Sequence, residues 1–172
     1  MNDINNLTRQ ALEALNHQNY GVLDSAINAG LDINFASGRD QWTLLHKVLV
    51  GVSKQPEPSV VECLIQRGAD VNVTDSYGMT PLHYAARVKS MAVVKLLIEA
   101  GADLNCCNNK GLTPLHQSIV KMPWDFSLIE LFIRSGADPY HECNGCIFMN
   151  LVKAVGGDNA KIVKNLAQKY AG

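Results

Sequence analysis

A glycine and an aspartate separated by one residue recur four times along this chain, at Gly30-Leu31-Asp32, Gly68-Ala69-Asp70, Gly101-Ala102-Asp103 and Gly136-Ala137-Asp138. The glycines stand 38, 33 and 35 residues apart. A second marker keeps step with the first: Thr43-Leu44-Leu45-His46, Thr80-Pro81-Leu82-His83 and Thr113-Pro114-Leu115-His116. A degenerate fourth copy, Ile147-Phe148-Met149-Asn150, falls where the next is due. Two markers in phase restrict the chain to a serial architecture, in which short units bury their apolar faces against one another.

The residues within one unit specify its parts. Proline in a first helical turn forfeits no hydrogen bond, because that amide has no intrahelical acceptor, and Thr80 before Pro81 is a good cap. Leu82, Ala85 and Ala86 give this first helix a narrow apolar face with small residues for close approach. Ser90 can open a second helix, in which Val93, Val94, Leu97 and Ile98 recur at helical spacing. Gly101 supplies the left-handed residue that ends it. Asp75-Ser76-Tyr77-Gly78 is a turn tetrad with glycine last. Each unit therefore reads helix, turn, helix, hairpin.

Thr80-Pro81-Leu82-His83-Tyr84-Ala85 matches the T-P-L-H-x-A signature of ankyrin repeats in full, and the chain resembles that family over nearly all its length. The copy at Thr113 departs from it at Ser118, and the copy at Thr43 lacks the proline and carries Val48 for alanine. The resemblance implies an all-α repeat solenoid of about five helix pairs. Its expected divisions are an N-terminal cap unit at 1–37, repeats at 38–73, 74–106 and 107–141, and a C-terminal cap unit at 142–172. In the first cap Ile4, Leu7, Ala11 and Leu15 share one face. In the last, Asp158 is expected to cap a helix striped by Ile162, Val163, Leu166, Ala167 and Tyr170. Two units carry insertions at the helix–helix turn, four residues within 51–58 and two within 121–126.

Composition bounds the function. A net charge of -1 opposes nucleic-acid binding, which needs concentrated Lys and Arg to displace counterions. The start of the chain shows no basic segment followed by an apolar run, and no apolar stretch approaches the roughly 20 residues of a membrane helix. The expectation is a cytoplasmic monomer that binds neither nucleic acid nor membrane. Five cysteines, an odd number, fit reduced thiols better than a closed disulfide framework.

Catalytic signatures are missing from the sequence: no phosphate-cradling glycine loop, no nucleophile elbow and no zinc-protease helix. The expectation is a protein that is not an enzyme and uses no cofactor. His46, His83 and His116 occupy matching repeat positions, and the resemblance implies a structural role for them, bonding backbone and threonine near the turn. Cys106-Cys107 lies in one hairpin and His141, Cys143 and Cys146 in the next. Stacked hairpins would bring these five together as zinc ligands, as a redox pair, or as bystander thiols. Cys63, beside Leu64 in a second helix, reads as core.

In the family, hairpin tips and the exposed side of the first helices form the recognition groove. Its variable positions map onto Arg39, Asp40 and Trp42, then Ser76, Tyr77, Met79, Arg87 and Val88, then Asn109, Lys110 and Leu112. Trp42, Tyr77, Met79 and Leu112 would form an exposed apolar row, a composition typical of binding hot spots. Trp124 and Phe126 in the second insertion would either widen it or plug the helix–helix turn. The alternative is that some of these fold back onto their own hairpins. The partner expected is another protein. Occlusion of that partner by an inhibitor, for instance an immunity protein neutralising a toxin, is the favoured form. The rivals are a host-directed effector, a scaffold subunit, or a zinc- or redox-responsive switch built on the hairpin cysteines.

Overall fold

The computed structural model describes residues 2–50 and 56–170, with side chains from Ile4 onward. Among them ten helices run in chain order: α1 (Asn2–Asn16), α2 (Tyr20–Asn28), α3 (Leu44–Val50), α4 (Pro58–Gln66), α5 (Pro81–Arg87), α6 (Met91–Glu99), α7 (Pro114–Gln117), α8 (Phe126–Arg134), α9 (Phe148–Val155) and α10 (Gly157–Lys169). They pair serially into an all-α repeat solenoid. The first helices α3, α5 and α7 stack in register, and α4 packs on α6 behind them. Leu45, Leu82 and Leu115, at one repeat position, are all fully buried between units, as are Leu64, Leu97 and Phe132 in the second row.

The Thr–His pair builds the first two joints. The Thr80 amide and hydroxyl both meet His83 Nδ1, at 3.1 and 2.8 Å. Because Nδ1 accepts the amide hydrogen, the neutral ring carries its proton on Nε2. That Nε2 donates to the Leu112 carbonyl of the next unit at 2.9 Å. His46 likewise donates to the Met79 carbonyl at 3.1 Å. These histidines therefore hold a helix start and the following hairpin together, as the resemblance implied.

A second ladder had no place in the sequence reading. Asn34 donates to the Gly68 carbonyl and accepts from the Asp70 amide. Asn72 does the same with Gly101 and Asp103, and Asn105 with Gly136 and Asp138. The signal was present two residues after three of the four Gly-x-Asp aspartates.

Several local expectations are corrected. Asp158 does not cap α10: Gly156 does, at φ 69°, while Asp158 sits in the first turn and pairs with Lys161 at 3.0 Å. Ile162 and Ile4 are 40% exposed, so both apolar stripes are narrower than their sequence spacing suggests. The first insertion lies largely outside the described residues. The second is clamped by Lys89, whose ammonium donates to the carbonyls of Lys121 at 2.6 Å and Pro123 at 2.5 Å.

Candidate protein-binding groove

The tips of successive units lie side by side. Ser37 and Trp42 bridge the first tip. Asp75 closes the second through its amide to the Met79 carbonyl, and Asn108 closes the third through Leu112. Backbone rungs link them, from the Ser76 amide to Asp40 O and from the Asn109 amide to Tyr77 O, each at 3.0 Å. Side chains add to these. Ser76 Oγ donates to Arg39 O, Asn109 Nδ2 to Ser76 O, and the Tyr77 hydroxyl to Asp40 Oδ1 at 2.9 Å. That last bond holds the Tyr77 phenol above its ordinary pKa, since ionising it would set two negative charges together.

Inside the tips lies a cleft of about 540 Å³ that gathers Trp42, Tyr77, Met79, Arg87, Asn109, Lys110 and Leu112. Val50, Tyr84, Asn108, Gln117 and Val120, none of them expected, complete its wall. Tyr77 is 55% exposed and Val120 57%. The expected exposed row is only partly realised. Met79 is buried at 5%, because its thioether packs inward and accepts from Asn108 Nδ2. Trp42 is half-buried, its indole N–H donating to Asp75 Oδ2 at 3.1 Å. Leu112 is half-buried, and Val88, also half-buried, ends α5. Arg39, Asn109 and Lys110 are exposed. Arg87 lies over the Tyr84 ring, 4.7 Å from its centroid.

A second, adjoining cleft of about 520 Å³ shares Leu112 and Val120 with the first and extends to Met122, Trp124, Leu151 and Val155. Met122 and Val155 are 64% and 60% exposed. Of the two readings of Trp124, the structure takes the inward one: it is buried, its indole N–H donating to Ile119 O at 3.0 Å. Phe126 is half-buried against the core. The two aromatics thus plug the helix–helix turn, and the aliphatic side chains around them line the cleft.

Of the five candidate metal or redox residues, Cys107, His141 and Cys143 converge, with ligand atoms all within 4.8 Å of one another. Cys107 and Cys143 are joined as a disulfide, their Cα atoms 6.2 Å apart. One pair among five cysteines is not a closed disulfide framework, and Cys63, Cys106 and Cys146 are free thiols. Cys106 stays outside the cluster, its thiol pushed up by burial and by nearby Asp103. Cys146 lies opposite Cys143 across the antiparallel hairpin of β1 (Glu142–Cys143) and β2 (Cys146–Ile147). Cys63 is buried, as expected, with its thiol raised by burial.

A family model described as ankyrin repeats, in three copies, matches residues 10–106 and 49–143. The chain belongs to the ankyrin-repeat family, whose members act as protein–protein interaction modules. No curated protein matches it. Among the described residues no helix is long and apolar enough to cross a membrane.

Proposed function

We propose that this protein is a non-catalytic binder that engages another protein along the two adjoining clefts and acts by covering that partner's surface. The observation that carries the reading is the continuity of the groove. Exposed Tyr77, Val120, Met122 and Val155 lie along clefts that share Leu112 and Val120. A central aromatic anchor with an aliphatic floor and charged rim is the composition in which a few residues dominate affinity. Arg87 and Lys110 line the first cleft and Arg39 is exposed at the adjacent tip, where charge steers and orients an incoming partner. A cytoplasmic inhibitor, such as an immunity protein that neutralises a toxin, is the specific form this reading takes.

The test is affinity capture with mass spectrometry, followed by titration of the partner obtained. Tyr77→Ala combined with Val120→Ala should weaken binding at least about thirty-fold, the equivalent of roughly 2 kcal/mol. Lys161→Glu with Lys164→Glu, on exposed positions of α10, should leave it intact. The reverse pattern would place the partner on the C-terminal helix and end the groove reading. Trp42 is unsuitable for this test, because its bond to Asp75 makes its loss a folding defect.

A further inference from the structure

The joints between units are not equal. At the first and second, a histidine Nε2 donates to the next hairpin's carbonyl and a backbone amide bonds the neighbouring tip. At the third, His116 keeps its Thr113 partner, yet its Nε2 is buried with no hydrogen-bond partner among the described residues. No backbone bond joins the tip at 108–112 to the hairpin at 142–147 among those residues. The asparagine rung survives but is the longest of its kind, 3.5 Å from Asn105 Nδ2 to Gly136 O. The Cys107–Cys143 pair spans this same under-bonded joint.

We propose that Cys107 and Cys143 are an exchangeable thiol–disulfide pair that takes small aliphatic disulfides as oxidant and covalently closes the joint between the third repeat and the C-terminal cap unit. The Cα separation of 6.2 Å lies within the range a disulfide spans, so closure needs little backbone movement. The hairpins already abut: a Cβ at Gly111 would run into the backbone carbonyl of Cys143. Cys107 is half-buried and Cys143 buried, which orders the steps. The Cys107 thiol loses its proton to His141, and its thiolate attacks one sulfur of the small disulfide. The other sulfur departs as a thiolate, is protonated, and leaves a mixed disulfide on Cys107. The Cys143 thiol then gives up its proton, its thiolate attacks the Cys107 sulfur, and the second small thiolate departs and takes up that proton. The protein loses two electrons and two protons, and one disulfide becomes two thiols. Cys146 faces Cys143 across the hairpin and is the competing attacker, but its Sγ is directed to the Lys110 carbonyl at 3.6 Å.

The test uses the reduced full chain and hydroxyethyl disulfide, with alkylation and peptide mass mapping. Treatment should leave three of the five thiols alkylatable, link Cys107 to Cys143, and raise the melting temperature reversibly. Cys146→Ser should close as the native chain does, whereas Cys107→Ser should not close. His141→Gln should reach the same extent about tenfold more slowly, because its thiols lose their proton acceptor. Five alkylatable thiols after treatment, or linkage through Cys106 or Cys146, would overturn the proposal. So would stoichiometric zinc in the purified protein that blocks closure until chelated, which would assign the cluster to metal. None of these readouts requires a partner, so the outcome is independent of the groove.

Discussion

The carboxylate of Asp75 receives four donors from three parts of the chain. The Tyr77 and Met79 amides reach Oδ1 at 2.9 Å, while the Trp42 indole and the Tyr84 hydroxyl reach Oδ2 at 3.1 and 2.5 Å. Asp75→Ala orphans these groups, Tyr84 and Met79 in buried surroundings, at roughly 1–3 kcal/mol for each buried donor left unpaired. We expect a loss of about 3 kcal/mol in urea denaturation, with Asp75→Asn losing less. In the sequence Asp75 read only as a turn former, since nothing local announces an indole from the preceding unit and a phenol from the following helix. Met79 read as exposed for the same reason: its neighbour Asn108 is remote in sequence. The histidines were legible, because Thr and His three residues apart form a local motif. Burial lowers His83 and His116 to about 4 from an ordinary value of 6.5. The unfolded chain therefore takes up protons first, and the stability these neutral rings contribute is full above pH 6.5. It falls as pH drops from 6.5 toward 4, by at most about 1.4 kcal/mol per pH unit per histidine. Melting at pH 7 and pH 5 should show this fall, and a melting temperature unchanged across that window would remove the assignment.

Elements were read best where the period was regular. Thr80, Pro81 and Gly101 punctuate α5 and α6 by local chemistry, and the structure places both helices between them. The second insertion was visible as a count of residues, but its effect was not. There α7 shrinks to Pro114–Gln117, Trp124 turns inward, and Lys89 from the preceding unit binds the loop. A cation paired with carbonyls more than thirty positions away leaves no periodic trace. The C-terminal helix shows the same division. Its amphipathic pattern predicted a cap, and α10 does pack on α8 and α9 through Val163 and Ala167. The contacts that fasten its end, from the Tyr170 hydroxyl to Glu130 at 2.7 Å and from Lys169 at 3.1 Å, were hidden. Deleting residues 157–172 uncovers the apolar faces of α8 and α9, and a solenoid without a polar outer layer associates. Light scattering should report aggregation of the truncated chain. A monomer with unaltered melting would show that α10 is not a cap.

At the scale of the whole molecule, stability is a chain of neighbouring contacts, because among the described residues the main helix packing is within a pair or between adjacent pairs. A substitution at the centre therefore weakens two interfaces, while one at an end weakens one. Leu82 lies fully buried on α5, which packs against both α3 and α7. Leu23 is equally buried on α2, in the terminal pair. Either truncation to alanine removes the same atoms from a packed site, costing about 2–5 kcal/mol with the cavity left behind. Their consequences should differ in reach. Leu82→Ala should speed hydrogen exchange in α3 through α7 together and shift the main unfolding transition. Leu23→Ala should release α1 and α2 and leave exchange in α5 and α6 near its native rate, since an array frays from its weakest end. Exchange followed by mass spectrometry separates the two. Uniform acceleration along the chain in both variants would mean that the units fold as one globule, and the nearest-neighbour account would fail.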